Sequence, residues 1–372
     1  MESRNSPVLI VGAGPAGSTL AAALARSGRA VTLLHDPARR KHCGGGVPPR
    51  AFARLRSLDG LRAPRAEIGR LSVSSRTGAR CEIELSSPLA IYDRAAFDGA
   101  LRAAAAGAGA RLVPARVTGI RREGGMWVLA AGGREHRGRF LVGADGAAGI
   151  VRRSLSAPFP PDALSLCAGY YLRAPDPGAA HVGFPGPPGC YTWIFPGPET
   201  ASAGIVAPLP GWRGDSLRRL LRAWMAERFP GASFDFGRPF AAMVPTARLR
   251  PRGVCGGGWA LIGDAAGVAD PVTREGIFFS MRSAELLAAA LGAGRPALYP
   301  LLLRAHLLRW HAASLFVRRW LFTGPRADAQ TRLLTRSAAA RRAAAEFVSG
   351  HLAFGRYASA ILAARIGGRG VA

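Results

Sequence analysis

The sequence predicts an α/β fold interrupted by an inserted, mainly antiparallel β domain and followed by a helical C-terminal region, on three observations. The chain opens as strand, tight glycine turn, helix and strand. Residues from about 165 to 207 switch to short aromatic strands between Pro/Gly clusters. The last 80 or so residues are Ala, Leu and Arg with little punctuation besides Gly324-Pro325. At 372 residues the chain is about two and a half times a usual domain, so one large or two interleaved domains are expected.

Each element follows from pattern. Val8 to Val11 is apolar and β-branched, Gly12 to Gly17 is a turn, Ser18 to Arg26 is an Ala/Leu-rich helix, and Val31 to Leu34 is a second strand, a Rossmann-like βαβ opening. From Arg70 to Leu85 a Thr77-Gly78 turn separates two alternating runs. Arg94 to Ala106 reads as a helix with Phe97 and Leu101 on one face, and from Val117 to Val142 two Gly-Gly pairs punctuate three more strands. Tyr170, Tyr171, Phe184, Tyr191, Trp193 and Phe195 lie on the short strands that follow, and Asp215 to Phe229 is an amphipathic helix. After Gly253 the α/β grammar returns, with Trp259 to Ile262 as a strand, Gly276 to Leu291 as a helix and Cys255-Gly256-Gly257-Gly258 as a loop. An insertion is the simplest account. It gives a discontinuous nucleotide-binding domain over 1–160 and 250–292, an inserted domain over 161–249 joined by the 66–88 hairpin, and a helical region over 293–372.

Composition removes several classes. A hydrophobic fraction of 49%, a mean hydropathy of +0.11 and seven Trp exclude a disordered chain. No run of 18 uncharged apolar residues occurs, and Val8 to Val11 is too short for a secretory h-region, so neither a membrane span nor an export signal is expected and the setting is cytoplasmic. The five Cys form no C-x-x-C pair and no zinc spacing, so reduced thiols and no structural metal are expected. His306 and His311, five apart, fall on different helical faces. A net charge of +27 points to an anionic partner, nucleic acid or membrane surface; yet Lys41 is the only lysine among 50 Lys and Arg, which a GC-biased genome would also produce. No stacking-aromatic motif for single strands appears, and no specific nucleic acid is expected. Between Arg304 and Arg342, Arg309, Arg318, Arg319, Arg336, Arg341 and Arg342 mix with Trp310, Phe316, Trp320 and Phe322. Such a mixture either meets the inner, anionic face of a membrane or packs its aromatics on the protein and solvates its arginines.

The chemistry rests on three loops. Gly12-x-Gly14-Pro15-Ala16-Gly17 follows a strand and opens a helix, where glycines admit a pyrophosphate to the backbone and the helix N-terminus supplies free N–H groups. Where an acid would accept the ribose hydroxyls stands His35, followed by Asp36; either could make that bond, or Asp36 could be a turn residue before Pro37. Leu141 to Arg153 carries Asp145-Gly146, and Trp259 to Ile277 carries Gly263-Asp264 and Glu275-Gly276-Ile277. An Asp at a strand end, before small residues that open a helix, can hold a ribitol hydroxyl.

Together these loops resemble the DG and GD signatures of glutathione-reductase-type flavoproteins of the aromatic hydroxylase branch. Within it, Lys41-His42-Cys43-Gly44-Gly45-Gly46, Tyr191-Thr-Trp193-Ile-Phe195-Pro196 and Asp93-Arg94-x-x-Phe97-Asp98 are similar to segments of the geranylgeranyl reductase family. The resemblance spans about residues 8 to 290. It implies non-covalent FAD held by the glycine turn, His35 or Asp36, Cys43, Gly44, Gly45, Arg94, Asp145, Gly263, Asp264, Gly276 and Ile277. It also implies a lipid-like or aromatic substrate near Tyr191, Trp193 and Phe195, and Cys43 beside the flavin, where its thiol could protonate a carbanion as reduced flavin delivers hydride. Gly149 replaces a common Ser, Arg274 a common Gly and His35 a common acid.

The leading expectation is therefore an FAD-dependent reductase of isoprenoid double bonds. An FAD monooxygenase acting on an aromatic or polyketide-like molecule is the alternative on the same scaffold. No second G-x-G-x-x-G supplies a nicotinamide domain, so the external electron donor, NAD(P)H or a reduced carrier protein, stays open.

Overall fold

The computed structural model describes residues 6–55, 62–173, 178–246, 248–321, 324–352 and 354–367. Its first sheet has six strands in the spatial order Cys255–Gly256, Trp259–Leu261, Phe140–Gly143, Val8–Val11, Val31–Leu34, Arg111–Val113. All pairings are parallel except the first, where Cys255–Gly256, expected as loop, adds a short antiparallel edge. Val8–Val11 is buried throughout because both faces of the sheet are covered, hence its unbroken apolar run. Helices Pro15–Arg26, Arg94–Gly107 and Ile277–Gly292 pack together on it. Arg94–Gly107 starts where Asp93 accepts the Ala96 N–H at 2.8 Å, and it buries Phe97 and Leu101 in the core. A three-stranded meander, Val117–Glu123, Met126–Ala131 and Arg134–Gly138, joins the same core through Trp127, whose indole N–H donates to the Gly258 carbonyl at 2.7 Å.

The second sheet has eight strands, in the order Phe236–Pro245, Leu164–Arg173, Thr200–Pro208, Tyr191–Pro196, Ala180–Phe184, Arg65–Ser75, Arg80–Tyr92, Gly46–Val47. It is antiparallel apart from the Ala180–Phe184 and Arg65–Ser75 pair. The early hairpin of residues 65–92 thus pairs with strands from far along the chain. Helix Gly214–Arg228 packs Leu217, Leu221, Trp224 and Met225 against Leu164–Arg173 and Thr200–Pro208. Against the hairpin lie the last three helices, Gly324–Arg336, Ala338–Val348 and Phe354–Gly367, which bury Leu334, Ala344, Tyr357 and Ile361 on Ile68, Val73, Ile83 and Ile91.

Helix Arg309–Leu321 does not present one aromatic-basic face. Trp310 turns inward and donates from Nε1 to Asp270 at 2.8 Å, and His311 is buried with Nε2 2.9 Å from the Val268 carbonyl. Phe316 stays 66% exposed. The side chains of Arg319 and Trp320, and residue Phe322, lie outside the described residues. No described helix is long and apolar enough to cross a membrane.

Candidate active site

The three glycine and aspartate loops meet at the ends of the parallel strands. Gly12 has φ +104, and a Cβ there would lie 2.6 Å from the Ala144 carbonyl carbon, so the strand end admits only glycine. A Cβ on Gly17 would run into the Gly12 carbonyl, so this glycine sets the approach of helix to turn and does not line the cavity. Asp145 accepts the Val151 N–H at 3.0 Å through Oδ2, while its buried Oδ1 has no partner. Burial raises its carboxyl above the ordinary range. The Gly149 departure is now explicable, because a Cβ at 149 would occupy the space of the Asp145 carboxylate. Arg152 ties the second loop to the third by donating to the Ala265 carbonyl at 2.7 Å, and Arg39 donates to the Asp145 carbonyl at 3.0 Å.

Asp264 pairs with Lys41 at 2.8 Å, and the Asp264 charge raises the Lys41 ammonium. Sequence reasoning passed over this ion pair, although a single lysine in an arginine-rich chain was a usable signal. His35 and Asp36 both face the cavity; Asp36 Oδ1 accepts the Ala38 N–H at 3.0 Å, and burial, then Arg102, lowers the His35 imidazole. Arg94 is clamped by Asp98, whose carboxylate receives its guanidinium at 2.9 Å and 3.0 Å.

The Cys43 loop is roofed by the second sheet. Its N–H donates to the Tyr171 hydroxyl at 3.4 Å, and His42 stacks on Phe240 at 5.6 Å between centroids. A Cβ on Gly44 would approach Phe195 to 2.9 Å and the Trp193 indole nitrogen to 3.1 Å; Gly45, at φ +74, presses on the Tyr92 carbonyl. Gly44 and Gly45 are therefore steric requirements, the first imposed by aromatic rings and the second by a backbone carbonyl. Trp193 Nε1 donates to Ser202 at 3.2 Å, and Tyr191 donates to the Thr273 carbonyl at 2.6 Å, burial pushing its phenol up.

One cavity of about 1330 Å³ reaches all three loops and the Cys43 segment. Gly12, Gly14, Pro15, Ala16, His35, Asp36, Cys43, Gly44, Gly45, Arg94, Asp145, Gly263, Asp264, Gly276 and Ile277 line it, as do Tyr191, Trp193 and Phe195. It then continues beyond the sequence motifs, between Leu71, Val73, Ile83 and Leu89 of the hairpin and Leu334, Ala344, Phe347 and Val348 of the C-terminal helices. Gln330 and Thr331 are polar members of that far wall, and the Gln330 amide is satisfied by the Tyr357 hydroxyl at 2.5 Å.

The loop ahead of helix Ile277–Gly292 is tied to the C-terminal helices. Asp270, 1% exposed, accepts from Val272 N, Thr273 N and Thr273 Oγ1 on Oδ1 and from Trp310 Nε1 and Ser314 Oγ on Oδ2. Next to it Arg274 adopts φ +58, a conformation that costs a non-glycine residue about 1–3 kcal/mol. Glu275 pairs with Arg50, whose guanidinium lies 5.0 Å from the Trp310 ring centroid. Burial pushes the Glu275 carboxyl up to about 7, with Arg50 opposing. A carboxyl raised in the folded state binds more protons there than in the unfolded chain. Its contribution is thus full below the ordinary carboxyl range and declines as pH rises towards 7. Thermal midpoints should accordingly fall more steeply from pH 5 to 8 in the wild type than in Glu275→Gln; parallel profiles would refute the assignment.

A family model described as FAD binding domain matches residues 5–168. Geranylgeranyl diphosphate reductase of Rhodobacter capsulatus is 32% identical over 335 residues, covering 84% of this chain and 82% of the relative. The chain belongs to the geranylgeranyl reductase family of FAD-dependent oxidoreductases. A menaquinone reductase of Mycobacterium tuberculosis is also 32% identical to this chain, over 77% of it and 76% of the relative. Among solved structures, a geranylgeranyl bacteriochlorophyll reductase-like protein of Thermoplasma acidophilum superposes with a TM-score of 0.78 at 21% identity, covering 97% of this chain and 96% of that one. The flavin-dependent brominase Bmp2 gives 0.70, also at 21%, over 96% and 98%. These two likenesses establish the fold. FAD is the cofactor, and the site fits it: a side-chain-free strand end faces a helix N-terminus, and the unpartnered Asp145 Oδ1 awaits a hydroxyl donor.

Proposed function

We propose that this protein saturates carbon–carbon double bonds of an isoprenoid chain, using reduced FAD. The observation that carries the reading is the continuity of the cavity, which passes from the three cofactor loops into a tunnel walled by aliphatic and aromatic side chains. A long hydrocarbon suits such a tunnel because burying it is favourable at about 25 cal/mol per Å². FAD in its reduced form supplies the hydride. The Gly12–Gly17 turn and the helix behind it would meet the diphosphate, Asp145 and Asp264 would hold ribityl hydroxyls, and Lys41 would hold Asp264 in place through their ion pair. Tyr191, Trp193 and Phe195 hold the alkene against the cofactor and exclude water. The Cys43 thiol would give the proton to the second alkene carbon, balancing the hydride added to the first, and would be reprotonated from solvent.

Reoxidation without dioxygen tests this. Photoreduced enzyme mixed anaerobically with a geranylgeranyl lipid should regain its flavin absorbance, and Cys43→Ala should slow that step by about 10²–10⁴-fold with its FAD content unchanged. Reoxidation by dioxygen alone would support the monooxygenase alternative instead.

The substrate class also favours peripheral contact with an anionic leaflet. Leu301, Phe316, Leu362 and Ile366 are between 59% and 66% exposed, and helices Arg309–Leu321 and Phe354–Gly367 pack together beside the exposed Arg304, Arg309 and Arg356. The protein should sediment with phosphatidylglycerol vesicles and be released by salt, and Phe316→Asp with Leu362→Asp should weaken binding at least about tenfold. Equal binding to neutral vesicles at all salt concentrations would contradict this.

A further inference from the structure

Arg274 is the one described non-glycine residue with a positive φ. Backbone strain of this kind persists where the surroundings impose it, and it concentrates at functional sites. The side chain is held by Val272, whose carbonyl accepts Nη1 at 2.6 Å, by Gly189, whose carbonyl accepts Nη2 at 3.0 Å, and by the Tyr191 ring, 5.3 Å from its guanidinium carbon. None of these partners carries a formal negative charge. The neighbouring acids are committed elsewhere: Asp270 to Val272, Thr273, Trp310 and Ser314, Glu275 to Arg50, and Asp264 to Lys41. A second guanidinium, that of Arg318, donates to the Thr246 carbonyl at 3.3 Å; burial, and then the charge of Arg274, lowers it to about 10. Among the described residues no carboxylate answers either arginine. Arg274 nonetheless lines the cavity beside Tyr191, Cys167, Ala242 and Val244. A planar cation with spare N–H donors, partly desolvated and lacking a counter-ion, is matched by a phosphate oxygen pair.

We infer that Arg274 anchors the anionic head, phosphate or diphosphate, of the isoprenoid substrate at the cofactor end of the tunnel. The inference rests on the isoprenoid reading above and adds to it a distinction between charged and uncharged heads. The left-handed backbone is the stability cost of placing that cation over Tyr191.

The test compares wild type, Arg274→Gly and Arg274→Lys, each loaded with FAD. Dissociation constants come from perturbation of the oxidised flavin spectrum by geranylgeranyl diphosphate, geranylgeranyl monophosphate and geranylgeraniol, with thermal midpoint and FAD content measured alongside. Arg274→Gly should keep its FAD and melt no lower than wild type, since glycine relieves the strain. It should bind both phosphorylated chains about 10- to 100-fold more weakly, the diphosphate and monophosphate arms showing which head is read, while the constant for the alcohol moves less than threefold. Arg274→Lys should fall between, keeping charge without the fork. A lower melting point with equal weakening for charged and uncharged chains would make Arg274 a loop staple and overturn the inference. A wild type that binds the alcohol as tightly as the diphosphate would overturn it while leaving the isoprenoid reading intact. Silence towards all three ligands, in binding and in anaerobic reoxidation, would bring down both.

Discussion

Ala344→Trp should cut anaerobic reoxidation by a geranylgeranyl lipid at least about 100-fold, close to 2.7 kcal/mol of lost transition-state stabilisation, while the flavin spectrum stays unchanged. Ala344 lies on helix Ala338–Val348, is 5% exposed and lines the tunnel with Leu334, Phe347 and Val348. An indole there fills the passage far from the cofactor loops. Overpacking itself costs about 1–3 kcal/mol, so the smaller Ala344→Leu serves as the folding control. Chain length supplies the decisive comparison: a geranyl substrate, with half the carbon chain, should lose less than about tenfold. Equal loss for both chains, or none, would remove the C-terminal helices from the substrate path.

Asp270→Ala should be the most damaging single change to stability away from the glycine turn. Its carboxylate collects Val272, Thr273, Trp310 and Ser314 in a site 1% exposed. Alanine would strand these donors, at about 3–5 kcal/mol in total and a fall in melting temperature on the order of 5–10 °C. FAD retention should drop as well, because the same carboxylate orders the loop that leads into Gly276 and Ile277. Asp270→Asn keeps the Oδ1 acceptor but turns an amide towards two donors, so it should fall between. A melting point within about 1 °C of wild type for both variants would show that the network is ornamental.

How far the sequence could be read follows from how locally each feature is determined. Gly12 was legible because one strand end needs a positive φ and a bare backbone, and Asp145 and Asp264 because a carboxylate after a strand, ahead of small residues, is a rare local arrangement. The α/β class and its antiparallel insertion were legible for the same reason, in runs of four to ten residues. The tunnel was not. Leu334 and Ala344 are buried and Phe347 is half-buried, but nothing in the helical sequence says what covers them, and their partners Ile68, Val73, Ile83 and Leu89 lie far upstream. Trp310 was open in the same way. Its setting among arginines suited either an interface or inward packing, and the Asp270 carboxylate that draws it inward is invisible from the helix alone. Gly149 and Arg274 were visible as departures, and only their neighbours gave them meaning: the first makes room for a carboxylate, and the second holds a strained backbone.

The cofactor end of the cavity is built from residues outside the last three helices, and its distant end is walled by the 65–92 hairpin on one side and by residues after Gly324 on the other. One of the two walls that set how long a lipid can enter is thus carried by a stretch of polypeptide separate from the cofactor loops. Mutation, recombination or deliberate grafting of the last three helices can then change the lipid accepted while the redox apparatus is inherited unaltered, a route by which one ancestral flavoprotein could give rise to enzymes for several membranes.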